Sequence, residues 1–461
     1  MIFRIFYEKY MKILVIGDGK VGRAIIEHTV QEGHEITVVD KNPKTIDDLV
    51  NSYDVMGLVG HGASIEILKS AYVDKMDIVV AATSSDETNI LSCIVAKKLG
   101  AKATIARVRD YDYNKQINLL MDNFGIDMVI NPELEAANEI MRILNFPQAV
   151  HVDTFSKGRV DLVEYVIPEN SPLIGIPLMY LQQKYQVKVL ISAVQRGDEV
   201  FIPTGTFTFK AKDRIHITSS SNNVRLFLNK LGLNDIKMRD ILIIGGGKIA
   251  LYLGEKLIQN KYKVKIIDND YKRCMELSDL LPLATIIHGD GTDQKVLEEE
   301  GLANSDAVIS LTGMDEENII ISLYANKVNV GKIIAKVNKA SFAPLLETVD
   351  VASIITPKEL IAHRVVRFIR ALNNTRGSNV ITLYKLVSNK VEALEFVAKA
   401  NSKVLNIKLK DLKVKDKILI SGIIRNEEVI IPSGEDMILE NDNVIVVTIN
   451  QFLDELTDIL R

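Results

Sequence analysis

Tryptophan is absent from the 461 residues, cysteine occurs twice, and aromatic residues make up only 6%. So few rings offer little platform for stacking bases. The 56 basic and 60 acidic side chains leave a net charge of -4, so no global basic field attracts nucleic acid. Cys93 and Cys274 stand far apart in sequence, which fits a reducing compartment and excludes a disulfide framework. No apolar run approaches the roughly 18–20 residues that span a bilayer. The opening MIFRIFYEKY is too short and too interrupted by charge to read as a secretory signal. These absences predict a soluble intracellular protein. The length allows roughly two to four domains, each with its own core.

What is present is a duplication. Residues 11–40, MKILVIGDGKVGRAIIEHTVQEGHEITVVD, are matched by residues 239–268, RDILIIGGGKIALYLGEKLIQNKYKVKIID. Gly245 follows Gly17 by 228 residues, and Thr312, Asp315 and Asn318 follow Thr83, Asp86 and Asn89 by 229. IPTG at 202–205 returns as IPSG at 431–434. A repeat of this length is one structural unit written twice. Residues 1–10 have no counterpart and read as an extension, with Met11 opening the repeat.

Within each half the texture changes once. Residues 11–146 alternate short apolar β-rich runs (ILVIG, EITVVD, DIVVAAT, ATIARV) with helical stretches. That alternation predicts an α/β, doubly wound, Rossmann-like parallel sheet with helices on both faces. Residues 147–234 then carry short strands broken by turn chemistry such as QRGDEV, which predicts a small α+β module. The second half repeats the order, as a Rossmann-like domain over 235–376 and a small module over 377–461.

The glycine loops carry the chemistry. Gly17-Asp18-Gly19-Lys20-Val21-Gly22 follows a strand and opens a helix, and Asp40 ends the next strand 23 residues after Gly17. In that setting the first glycine makes the tight turn and the second admits a pyrophosphate. The third packs helix on strand, and the helix N-terminus offers unpaired N–H groups. Asp40 is expected to accept hydrogen bonds from ribose hydroxyls and to disfavour a 2′-phosphate, pointing to NAD(H) or an adenosine nucleotide; the bland alternative is a cap on the strand end. The second copy reads Gly245-Gly246-Gly247-Lys248-Ile249-Ala250, with Asp268 as its acid. It predicts a second nucleotide site, or a loop that has outlived one.

Thr83-Ser84 and Thr312-Gly313 end the fourth strand of each unit, where doubly wound sheets meet their ligands. Arg107 and its counterpart Lys336 end the fifth, where a cation meets a phosphate, a neighbouring carboxylate or simply water. His61 occupies a loop whose counterpart holds Asp290, which either caps a helix or approaches an adenosine. The apolar positions Ile90, Leu91, Ile94 and Val95 of DETNILSCIVAKK read first as core, with a domain or subunit contact as the alternative.

A dehydrogenase needs an acid or base facing the nicotinamide. None of the seven histidines recurs in both halves, and no HExxH, paired CxxC or nucleophile elbow is present. Nucleotide sites without a catalytic constellation predict a sensor rather than an enzyme, with an NAD-dependent oxidoreductase or a regulator of another membrane channel or antiporter as rivals.

The combination GDGKVG, VVD, TSSDETN and ARV, followed by a small β-rich module and then repeated, resembles the TrkA-like peripheral regulatory subunits of Trk-type potassium uptake systems, built from tandem regulator-of-potassium-conductance (KTN) domains. The resemblance covers about residues 11–461. It implies binding of NAD(H) and of ATP or ADP, assembly into a homo-oligomeric ring, expected to be a tetramer, and attachment to a membrane-embedded potassium-translocating subunit on the cytosolic face. It further implies nucleotide contacts from Gly17, Asp18, Gly19, Lys20, Val21, Asp40, Thr83, Ser84 and Arg107. In the second copy these become Gly245, Gly246, Gly247, Lys248, Ile249, Asp268, Thr312, Gly313 and Lys336. His61, Ala250 and Leu251 depart from the pattern of the other copy, so the two sites need not take the same ligand.

Overall fold

The computed structural model describes residues 10–461 apart from 147–148, 150, 233–237, 340–341, 343–352, 375–379, 387–389, 450–452 and 454. The expected extension at 1–10 therefore lies almost wholly outside the described residues. So do the joints expected near 147, 234 and 376.

The apolar runs of the first unit form β1 (Lys12–Ile16), β2 (Glu35–Asp40), β3 (Met56–Val59), β4 (Ile78–Ala81), β5 (Ala103–Arg107) and β6 (Met128–Ile130). All pair in parallel, in the order β3-β2-β1-β4-β5-β6. Strands buried on both faces need apolar residues at every position rather than at alternate ones, and Ile13–Ile16 and Ile78–Ala81 supply them. The order reverses between β1 and β4, which opens a crevice at their carboxyl ends. The second unit repeats the arrangement with strands Thr285–His288, Lys263–Asp268, Asp240–Ile244, Ala307–Ser310, Lys332–Lys336 and Ser353–Ile355. Each small module is a five-stranded antiparallel sheet. In the second module Asn426 and Glu427 both adopt positive φ in the tight turn between strands Ile418–Arg425 and Glu428–Ile430, a backbone that suits Asn better than Glu.

The two halves are not beads on a string. The last helix of each Rossmann-like unit packs against the other unit. Helix Pro132–Asn145 places Ala136, Ala137, Ile140 and Leu144 in the core built by Ile243, Ile249, Leu253 and Ile266. Helix Pro357–Asn374 returns the exchange, burying Ile361, Ala362, Val365 and Ile369 against Val21, Ile25 and Val38. Full burial of a Val or Ile side chain contributes about 1.5–3 kcal/mol, so this exchange ties the units together strongly. The small modules also meet, through a shared core of Phe155, Val160, Leu162, Val391, Ile445 and Val447. Inside each module a buried aspartate receives a two-pronged guanidinium. Arg196 donates to Asp213 at 2.8 and 2.7 Å, and Arg425 to Asp442 at 2.9 and 2.7 Å.

The helix Asp86–Lys98 meets its sequence reading in part: Ile90 and Val95 pack against the core. Its buried face is Asn89, Ser92, Cys93 and Ala96, while Leu91 is 50% exposed. Asn89 faces inward because the ends of β4 and β5 present backbone groups there that need partners, and the Cys93 thiol donates to the Ile105 carbonyl at 3.3 Å. Among the described residues, no helix is long and apolar enough to cross a membrane.

Candidate nucleotide-binding sites

Gly17 turns sharply after β1 at a φ of +95°, and a Cβ there would lie 2.9 Å from the backbone of Thr83. Only glycine meets both conditions. Gly245 repeats this at +99° against Leu311 and Thr312. By contrast, a Cβ on Gly19 or Gly247 would meet nothing within 4 Å. Each second glycine therefore fronts open space where a ligand backbone can approach. Helices Lys20–Gln31 and Lys248–Gln259 begin at these points. Their first-turn N–H groups and partial positive charge face the same space.

The distal acids sit beside the loops. Asp40 accepts from the backbone N–H of Asp18 at 2.9 Å and from that of Asn42 at 2.9 Å. Asp268 accepts from Gly246 N–H at 2.5 Å and from Asp270 N–H at 2.8 Å. Each carboxylate thus holds its glycine loop in place. The two loops are otherwise unlike. Asp18 is paired with Arg23, whose Nε donates at 2.9 Å. Burial pushes the Asp18 carboxyl above its ordinary range, and Asp40 and Glu27 act in the same direction against the opposing pull of Arg23. The second loop has Gly246 at this position, and Arg273 donates to its carbonyl at 2.7 Å.

Thr83 and Arg107 are bound together by Asn89, which the sequence reading used only as a marker of the repeat. The Oδ1 of Asn89 accepts from Thr83 N–H at 2.8 Å, and its Nδ2 donates to the Arg107 carbonyl at 2.9 Å. Asn318 does the same for Thr312 and Lys336, at 2.9 Å in each case. Both asparagines are fully buried. The acids at the start of each helix, Asp86 and Asp315, complement the helix dipole and also bind backbone. Asp86 accepts from Arg109 and Asp110 N–H at 2.8 and 2.7 Å, and Asp315 from Asn338 and Lys339 N–H at 2.9 and 2.8 Å. The signal for this role was the exact repetition of Asp-Glu-x-Asn in both halves.

Arg107 is not a solvated strand-end charge. Its Nη1 lies 3.4 Å from the Thr83 carbonyl, and its Nε is buried with no hydrogen-bond partner among the described residues. Burial pushes the guanidinium below its ordinary value, as does Arg109 alongside, against the pull of Glu133 and Asp86. Lys336 is likewise pushed down by burial, opposed by Asp315, while Lys20 from the first loop adds to the depression. A half-buried cation of this kind suits an anionic ligand. Ser84 offers its carbonyl to Arg109 at 2.7 Å, and Gly313 fronts open space.

The helix exchange turns the two sites toward each other. Lys248 of the second loop reaches the Arg109 carbonyl at 3.5 Å, Tyr252 reaches it at 3.4 Å, and Asn131 donates to Tyr252 at 3.1 Å. Glu133, at the start of the exchanged helix, acts electrostatically on both Arg107 and Lys336, and its Oε2 is buried without a partner among the described residues. His61 is an exposed loop residue whose ring accepts from Ala63 N–H at 3.3 Å. Asp290 does not cap the next helix, which Asp293 does; it closes its own turn on Thr292 at 2.8 Å.

This arrangement defines a class: a duplicated Rossmann-type protein in which each parallel sheet is followed by a small antiparallel module. The TrkA-N domain family matches residues 13–132 and 241–357, and the TrkA-C domain family residues 162–232 and 393–461. The chain belongs to the TrkA family. It is 32% identical over 448 residues to Trk system potassium uptake protein TrkA homolog 1 of Methanosarcina mazei, covering 95% of this chain and 97% of that one. It is 30% identical over 450 residues to the TrkA protein of Vibrio alginolyticus, covering 96% of each. Among solved structures, the GsuK RCK domain aligns with a TM-score of 0.61 at 16% identity, over 97% of this chain and 94% of that one. The GsuK channel bound to NAD aligns with a TM-score of 0.61 at 15% identity, over 97% and 78%. These structural likenesses are likenesses of fold.

Proposed function

We propose that this chain is a nucleotide-sensing regulatory subunit of a Trk-type potassium uptake system and not an enzyme. It binds NAD(H), and also ATP or ADP, at the two glycine-loop sites and passes the resulting change of shape to a membrane-embedded potassium-translocating partner. It works on the cytosolic face of the membrane as a homo-oligomer, a tetrameric ring. The observation that carries this reading is that each unit has both an open glycine loop and a half-buried cation at the end of its fifth strand, Arg107 or Lys336, with Glu133 of the exchanged helix acting on both cations. The names of the full-length relatives supply the potassium system, and the solved GsuK channels include one bound to NAD and one bound to ADP.

In the first site, Gly17, Gly19, Lys20 and Val21 cradle the phosphates, with Asp18 contributing its backbone. Asp40 holds the ribose, Thr83 and Ser84 line the crevice, and Arg107 meets a terminal phosphate. In the second, Gly245, Gly246, Gly247, Lys248, Ile249, Asp268, Thr312, Gly313 and Lys336 take the same parts. Assembly into a ring is supported by apolar side chains left on matched helices: Leu91 is 50%, Ile320 64% and Leu323 44% exposed. A nucleotide shifts conformation only by its difference in affinity for the two states. A shift from about 1% to 99% needs about 5.5 kcal/mol, which several sites in one ring supply jointly. Isothermal titration of the purified chain with NADH, NAD, ATP and ADP, read with the oligomer mass, tests the proposal. Binding of both nucleotide classes to a tetramer without cofactor turnover supports it. A monomer or dimer that binds only NAD(H), and consumes it when offered metabolites, refutes it.

A further inference from the structure

Away from both glycine loops, three side chains from the two halves converge where helix Lys20–Gln31 meets the exchanged helix Pro357–Asn374. His28 Nε2 lies 2.7 Å from Glu359 Oε2, and the His28 and His363 rings stand edge to face with centroids 5.0 Å apart. Glu359 and His363 are four residues apart on one helix and so project from the same face. One donor atom from each of the three residues lies within 4.8 Å of the other two. His28 and Glu359 are half-buried and His363 is exposed, so two donors are held by packing while the third stands at an open entrance. Glu27 and Glu32 lie near enough to act on His28, balancing Lys358 and Arg367 on the facing helix.

Two imidazoles and one carboxylate form a donor set suited to zinc and its neighbours rather than to calcium or magnesium, which take oxygen ligands. Metal–ligand bonds of about 2.0–2.1 Å place tetrahedral donors about 3.3 Å apart. An ion therefore enters by replacing the His28–Glu359 hydrogen bond with a slight opening of the two side chains. The duplication argues that this set is no by-product of the repeat. The buried exchanged-helix residues Ile361, Ala362, Val365 and Ile369 correspond to Ala136, Ala137, Ile140 and Leu144, which sets the register. In that register the counterparts of Glu359 and His363 are Leu134 and Asn138, and that of His28 is Lys256. None of the three repeats a ligand, so one copy of the interface has acquired a donor set that the other lacks.

We propose that His28, Glu359 and His363 bind one divalent transition-metal ion of the zinc class, with water completing its coordination, and that the ion staples the first Rossmann-like unit to the helix delivered by the second half. The inference is independent of the nucleotide reading and is tested without nucleotide. Tag-free full-length chain is stripped with a chelator and titrated with Co2+ as a spectroscopic probe. The expected result is a visible absorption band that saturates at one equivalent per chain and is displaced by Zn2+. His363→Gln, at an exposed position, should retain its circular dichroism and lose the band. Glu359→Gln should lose it as well, while His288→Gln should keep it. A second readout is melting temperature: Zn2+ should raise it in the wild-type chain and not in Glu359→Gln. A band that survives in both His363→Gln and Glu359→Gln, or no band in the stripped wild-type chain, overturns the proposal.

Discussion

Asp40 holds the backbone N–H of Asp18 at 2.9 Å, so the acid at the end of β2 fixes the glycine loop at the end of β1. On the proposed reading a ribose bound at the crevice would share that carboxylate, which would couple the loop's geometry to occupancy. Hydrogen bonds to a charged group contribute about 1.5–3 kcal/mol each. Asp40→Ala should therefore weaken binding at the first site by more than tenfold and leave the second intact. Asp268→Ala should do the reverse, and titration calorimetry of each single variant checks both.

Arg107→Met tests whether the half-buried cation is there for an anion. Removing a half-buried charge that has no carboxylate partner among the described residues relieves a desolvation penalty, so melting temperature should hold or rise. Affinity for ATP should fall by at least tenfold while affinity for adenosine changes little. Equal losses for both ligands would place Arg107 in the scaffold instead.

Asn89→Ala and Asn318→Ala should act mainly on stability. Each removes a fully buried amide that satisfies the backbone of two strand ends, and an orphaned buried group costs about 1–3 kcal/mol. Denaturant midpoints should fall for both variants. Each should also weaken nucleotide binding at its own site alone.

The exchanged helix carries a pH dependence. Burial by itself would raise the Glu32 carboxyl, but the His34 ring 3.6 Å away and hydrogen bonds from Arg370 of helix Pro357–Asn374 outweigh it and hold the group below its ordinary 4.5. A lowered carboxylate contributes stability that is present above 4.5 and is lost as pH falls through the lowered value. Glu32→Gln should lower the melting temperature at neutral pH, and the gap from wild type should close as pH is taken to about 3. A gap that stays constant would show that the pair carries no such linkage.

Much of the fold was legible because its signals are local. Ile13–Ile16 and Ile241–Ile244 announce buried parallel strands, and Gly17 and Gly245 announce turns that only glycine makes. The helix exchange was not legible. Ala136, Ile140, Val365 and Ile369 have the same helical spacing whichever unit they pack on, so periodicity says that a face is buried and not against what. Asn89 and Asp86 were hidden for a related reason. Polar residues at a helix start read as dipole and cap chemistry, and only the fold reveals that the ends of β4 and β5 require them. Leu91 was misread in the opposite sense, because an apolar residue on a helix reads as core whether it faces its own domain or stands exposed. The difference in environment between Asp18 and Gly246 also needed Arg23 and Arg273 in place.

The most direct test of the central claim is potassium flux into vesicles that hold a Trk-type membrane subunit, with this chain added and nucleotide varied. The account predicts that flux responds to NAD(H) or adenine nucleotide with the wild-type chain. It predicts no response with Asp40→Ala/Asp268→Ala, although that variant folds and still associates with the vesicles. A double variant that responds as the wild type does would contradict it.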